Sequence, residues 1–84
     1  MTTEAEVFAE IQRIAREELD HTRPVSLTDS LAQDLELDSM GLIIVAVNLE
    51  NRFRIKLSEQ DAERIDTVQD VVRWVVRRTE ESPS

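Results

Sequence analysis

Leu35-Glu36-Leu37-Asp38-Ser39-Met40, running directly into the apolar stretch Gly41 to Leu49, is the passage on which the reading of this chain turns. It reads as an acidic loop that ends in a helix start. Asp38 is a good N-cap, because its carboxylate can accept from the otherwise unpaired amides of a first helical turn. Ser39 then stands at the first helical position with its hydroxyl exposed. Free N–H groups and the positive end of the helix dipole both favour negative charge there, so a phosphate ester would be well placed. An isolated Asp-Ser pair is only a cap, and the surrounding chain has to say more.

Working outward, the helix that Ser39 opens is expected to run to about Phe53 with two apolar stripes. Leu42, Val45, Ala46, Leu49 and Phe53 are expected to face the core. Met40, Ile43, Ile44 and Val47 are expected to lie at least partly at the surface, because so small a domain has difficulty burying both stripes. Gly41 is the only glycine. Inside a first turn it costs up to about 1 kcal/mol relative to alanine, and close approach by a partner or an attached group would be one reason for it. Upstream, Val25 to Asp38 lacks regular periodicity, with Leu27, Leu31, Leu35 and Leu37 expected to anchor a long loop and Thr28-Asp29-Ser30 to form a turn. Loops of this length are often functional. No Lys or Arg occurs between Arg23 and Arg52, while Asp29, Asp34, Glu36, Asp38 and Glu50 do, so negative charge gathers around Ser39.

Towards the N-terminus, Thr3 and Glu6 have capping-box spacing. Val7, Phe8, Ile11, Ile14, Ala15 and Leu19 then recur at three and four, one face of an amphipathic helix of about four turns that Pro24 and its polar neighbours are expected to end. Beyond Phe53, Arg52, Arg54 and Lys56 alternate with Phe53, Ile55 and Leu57, which reads as a helix end entering a short extended link. Ser58 starts a short helical segment to about Arg64. Thr67-Val68-Gln69-Asp70 resembles a cap, opening a last helix whose Val68, Val71, Val72, Val75 and Val76 form one stripe, with Trp74 at its edge. Residues 80–84 are expected to be a polar tail, with the core at about 5–78 of a single domain spanning 1–84.

The 84 residues carry 18 acidic and 10 basic side chains, a formal net charge of −8. Such a surface repels nucleic acid and steers toward basic patches on protein partners. There is no cysteine, so no disulfide or zinc-thiolate staple is available, and any thiol chemistry must come from something attached. The single histidine, His21, is expected to sit in a different loop from Ser39. A serine nucleophile needs a base within reach and an oxyanion site, so the sequence points away from an enzyme. The N-terminus lacks a positive segment followed by an apolar one, and Ser39 to Leu49 is too short to span a bilayer. A cytoplasmic protein without a membrane partner is expected.

Together these features make an all-α chain: a small four-helix bundle of three main helices and one short helix, with a long loop between helices one and two. At this point the chain resembles the acyl carrier protein family. Leu31-Ala32-Gln33-Asp34-Leu35-Glu36-Leu37-Asp38-Ser39-Met40 is similar to the family's DLGxDSL signature, Leu49-Glu50-Asn51-Arg52-Phe53 to its LEExF helix end, and Ile65-Asp66-Thr67-Val68-Gln69-Asp70-Val71 to its ITTVxDxV start of the last helix. The resemblance spans roughly residues 5 to 78 with the landmarks in order. It implies a monomeric carrier that is not itself an enzyme. A phosphopantetheinyl transferase would move 4′-phosphopantetheine from coenzyme A onto Ser39, with Asp38 helping that enzyme to position its metal and coenzyme A. Acyl or polyketide groups would ride as thioesters on the arm. Acyl-loading, condensing or modifying enzymes would dock on the second helix, through Met40, Ile43, Ile44, Val47 and Glu50. An aminoacyl or peptidyl carrier of a nonribosomal peptide pathway and an unmodified protein-interaction adaptor of the same fold are the alternatives. Three departures stand out: Glu36 replaces the family's usual glycine, Met40 replaces its usual leucine, a mild change in volume, and the docking face is apolar rather than acidic, with Glu50 as its main charge.

Overall fold

The computed structural model describes residues 2–81, apart from the side chains of Glu59 and Glu81. The order of elements is α1 (Glu4–Glu17), α2 (Ser39–Phe53), α3 (Glu59–Ala62) and α4 (Val68–Glu81). The expected tail is therefore helical at residues 80 and 81, and 82–84 lie outside the described residues. α1 packs against α4 and α2, and α2 touches α4; the short α3 packs its backbone closely against none of them.

Thr3 caps α1, its hydroxyl accepting from Glu6 N–H at 3.2 Å. Val7, Ile11, Ile14 and Ala15 are buried, with Phe8 and Leu19 packed at the margin. The opposite face carries Arg13, whose guanidinium bonds Glu10 at 2.7 Å and Glu17 at 3.4 Å. Arg13 holds the Glu10 carboxyl below its usual range. α1 ends well before Pro24. Glu18 closes it, and Asp20 turns the chain through the left-handed region at φ 54°. His21 N–H then reaches back to Ala15 O at 2.8 Å.

The long loop is anchored by Val25, Leu31 and Leu35, which are buried, and by Leu37, which is half-buried; Leu27 stays exposed. The loop is also wired to the end of the chain. Leu27 O and Asp29 O accept from Gln69 and Val68 N–H at 2.9 and 3.0 Å, and Leu31 N–H donates to Asp66 O at 2.9 Å. The turn expected at Thr28-Asp29-Ser30 forms earlier, at Ser26 to Asp29, where the Asp29 carboxylate accepts from Ser26 N–H at 2.8 Å, because Ser30 pairs with Thr67 instead. The loop thus occupies first-turn amides of α4 that would otherwise be open. Thr67 and Asp70 complete that cap: the Asp70 carboxylate accepts from Asp66 and Thr67 N–H at 3.0 Å each, and the Thr67 hydroxyl accepts from Asp70 N–H at 3.3 Å. α4 contributes Val68, Val71, Val72 and Val75 to the core, with Val76 half-buried.

α2 begins and ends where the sequence places it. The line it buries is Gly41, Val45 and Leu49, with Ile44 and Phe53 partly packed beside it. Two expectations change here. Leu42, expected in the core, is 42% exposed, because the buried line is set four residues apart through Gly41 and leaves Leu42 overhanging one side. Ile44, expected on the surface stripe, is drawn partly into the core.

Candidate functional site

Ser39 is exposed at the N-terminus of α2, and the elements on either side explain why it is presented there. Asp38, in extended conformation, caps the helix, its Oδ1 accepting from Gly41 N–H at 2.8 Å while its carbonyl accepts from Leu42 N–H at 3.0 Å. The amides of Ser39 and Met40 find no acceptor among the described residues. The Ser39 hydroxyl likewise makes no hydrogen bond among them, so no general base is in contact with it. An exposed hydroxyl beside two open amides and a helix N-terminus suits a phosphodiester.

The loop gives Gly41 a reason of its own. A Cβ at this position would lie 3.0 Å from Leu37 Cδ2 and 3.4 Å from Leu37 Cβ, so the glycine lets Leu37 seat against the first turn. Glu36, at the family's glycine position, adopts φ 55°. That is the left-handed conformation which costs an L-residue roughly 1–2 kcal/mol and glycine little.

Beyond Ser39, Met40, Ile43 and Val47 form an exposed apolar ridge, 63%, 56% and 46% accessible. Glu50, expected as the ridge's main charge, is half-buried, and its Oε2 accepts from Leu57 N–H at 2.9 Å, fixing the link that follows α2. Ile44 and Glu50 are thereby committed inward, and Met40, Ile43 and Val47 remain as the outward members of the expected set. At the far end of α2, Arg54 closes the helix in the left-handed region, and Arg52 lies 5.3 Å from the Phe53 ring centroid.

On its other flank α2 borders an apolar cleft of about 250 Å³. Leu42, Ile43 and Ala46 form its α2 wall, Val71 and Trp74 its α4 wall, and residues 57–66 close it with Leu57, Ala62 and Ile65. Val72 and Val75 face the core instead. The cleft was not legible in the sequence: Leu42 read as a core residue, and only Trp74, at the edge of its helix's stripe, was an available signal. The segment over it is tied to α4 through Asp61, whose carboxylate accepts from Arg78 Nη2 at 2.5 Å and from Ser58 Oγ at 2.8 Å. Arg78 first, then Ser58, hold the Asp61 carboxyl down at about 2. The Trp74 indole N–H, which stops short of a hydrogen bond, adds least.

Among the described residues no group of three His, Asp or Glu side chains is placed to hold a metal ion, and no helix is long and apolar enough to cross a membrane.

The family model of the phosphopantetheine attachment site matches residues 9–75. The chain is 32% identical over 83 residues to the meromycolate extension acyl carrier protein of Mycobacterium tuberculosis, covering 96% of this chain and 71% of that protein. It is 32% identical over 77 residues to the acyl carrier protein of Myxococcus xanthus, covering 89% of this chain and 96% of that one. Among solved structures, an acyl carrier protein from Thermotoga maritima superposes with a TM-score of 0.82 at 22% identity, over 93% of this chain and 92% of that one, which bears on the fold.

Proposed function

The chain belongs to the acyl carrier protein family, a carrier rather than an enzyme, with phosphopantetheine as its prosthetic group, and from that premise we propose that Ser39 receives the arm. The observation that carries this reading is the presentation of Ser39: exposed, first in α2, capped by Asp38 and beside two amides without acceptors. The chemistry at Ser39 is transfer of the phosphopantetheinyl group from coenzyme A, with adenosine 3′,5′-bisphosphate leaving, catalysed by a phosphopantetheinyl transferase, since no base among the described residues contacts the hydroxyl. When attached, the arm supplies the thiol that this cysteine-free chain lacks, to hold cargo as a thioester.

The cleft beside α2 supports an acyl chain as the cargo. Leu31, Leu42, Ile43, Ala46, Leu57 and Trp74 are among its lining residues, a mostly apolar surface that suits a hydrocarbon chain. Similarity to a protein named for meromycolate extension supports assembly of fatty-acyl chains as the setting. The ridge of Met40, Ile43 and Val47 supports docking by the transferase and by acyl-loading or condensing enzymes through shape and apolar contact. Cytoplasmic operation, beside coenzyme A, fits the lack of a membrane-spanning helix among the described residues.

The test is intact mass after incubation with a broad-specificity phosphopantetheinyl transferase, coenzyme A and magnesium, for wild type and Ser39→Ala. The expected outcome is one phosphopantetheine on wild type and none on the variant, which keeps its fold because Ser39 is exposed. A folded wild type that gains no mass, or a variant that gains it, overturns the assignment of Ser39.

A further inference from the structure

The wall that residues 57–66 contribute to the cleft is built unlike the other two. The α2 and α4 walls belong to helices whose inner faces lie in the core. None of the described side chains from Ser58 to Arg64 is buried, and α3 packs its backbone closely against no other helix. Both ends of this segment are pinned. Leu57 N–H donates to Glu50 Oε2 at 2.9 Å. At the other end, Asp66 N–H donates to Asp70 Oδ2 at 3.0 Å, and Asp66 O accepts from Leu31 N–H at 2.9 Å. Between the pins only Ile65, beside the second pin, packs against the core, and no side chain described from Ser58 to Arg64 is buried; such stretches open locally at the lowest free-energy cost. Its middle is tied to α4 by Asp61 on Arg78, the one ion pair among the described residues that joins this segment to a helix. Ser58 Oγ, at 2.8 Å, holds the carboxylate in place for it.

We propose that the Asp61–Arg78 pair is a latch that keeps residues 58–64 closed over the cleft and so sets the length of acyl chain the cleft admits. The proposal rests on the cleft being the cargo site, as read above. Neither Asp61 nor Arg78 lines the cleft, so both are positioning residues. With the pair made, the wall is fixed, and a chain longer than the cleft leaves its far end in solvent. With the pair broken, the segment bows outward between its pins and a longer chain fits. About a third of each side chain is exposed, 36% for Arg78 and 29% for Asp61, so salt weakens the latch.

The experiment has two readouts on folded wild type, Arg78→Gln, Arg78→Lys and Asp61→Asn. The first is amide exchange of residues 59–64 in the cargo-free, phosphopantetheine-bearing protein. Exchange should be several-fold faster in R78Q and D61N and near wild type in R78K. The second is the rate of thioester cleavage by hydroxylamine on protein loaded with hexanoyl, decanoyl or hexadecanoyl groups. Wild type should protect one of the shorter chains best, whereas R78Q and D61N should protect hexadecanoyl several-fold better than wild type does. Molar sodium chloride should move wild type toward R78Q and leave R78Q unchanged, a response that a merely structural role would not give. Unchanged exchange and an unchanged length profile in folded R78Q overturn the latch. Faster exchange with no chain protected in wild type overturns the cargo reading of the cleft, and with it the length-setting role, while leaving the Ser39 assignment untouched.

Discussion

Glu36 shows how far one residue can depart from its position's usual chemistry. Its φ of 55° is the conformation that glycine, the family's usual occupant, adopts freely. Replacing Glu36 with glycine relieves about 1–2 kcal/mol of local strain and costs about 0.5–1 kcal/mol in unfolded-chain entropy. It also removes a carboxylate from the acidic loop. The expected net result is a gain of about 0.5–1 kcal/mol, read as a higher urea midpoint with an unchanged slope. A fall in the midpoint would mean that the Glu36 side chain stabilises the loop in a way its exposure does not suggest. Other residues show the limits of reading from sequence. Asp38 and Ser39 could be placed from the chain alone, because an N-cap acts over three residues. Gly41 and Glu50 could not, because their reasons are Leu37 Cδ2 and Leu57 N–H, contacts made only after the loop and link have folded onto α2.

The same distinction separates elements whose ends are written locally from those whose ends are not. α2 and α4 start at side-chain caps, Asp38 and Thr67 with Asp70, and both starts were visible. The end of α1 was not, because Asp20 in the left-handed region carries no strong sequence signal, whereas Pro24 carries a misleading one. The bonding of the long loop to the first turn of α4 is backbone to backbone and leaves no trace in residue types. The α4 cap makes a prediction about pH. The Asp70 carboxyl is held below its ordinary value, by the Thr67 N–H most and the Asp66 N–H next. A depressed carboxyl stabilises the fold above its unfolded pKa, and that contribution disappears as pH falls through the folded value. Asp70→Ala should therefore cost about 1 kcal/mol at neutral pH, with the gap to wild type closing as pH drops below about 4. Urea unfolding of both proteins across that range checks it. A gap that stays constant in acid would show that the loss comes from packing and not from the ionised cap.

Across the whole molecule, charge and core pull in opposite directions. Fourteen buried apolar side chains make one cluster joining α1, α2, α4 and the loop anchors, and a domain this small has only a modest core to offset its entropy. Over it lies a formal charge of −8, unevenly spread: Asp34, Glu36 and Asp38 are exposed before α2, in a stretch from Pro24 to Asn51 with no basic residue. Like charge at this density destabilises the compact state by self-repulsion, and the Debye length of about 10 Å at 0.1 M means that ordinary salt screens it. Salt also weakens the two partly exposed networks, Glu10–Arg13–Glu17 and Asp61–Arg78, but ion pairs near the surface contribute only about 0–1 kcal/mol each. The repulsion has more members, so it should dominate. The Tm is expected to rise from very low to physiological sodium chloride, and to rise further in Arg13→Gln, where one attractive network is gone and a positive charge with it. Calorimetry at a series of salt concentrations decides the matter. A Tm that falls with salt would place the balance with the ion pairs, and would make the tie between residues 58–64 and α4 a larger part of the fold's stability than its exposure implies.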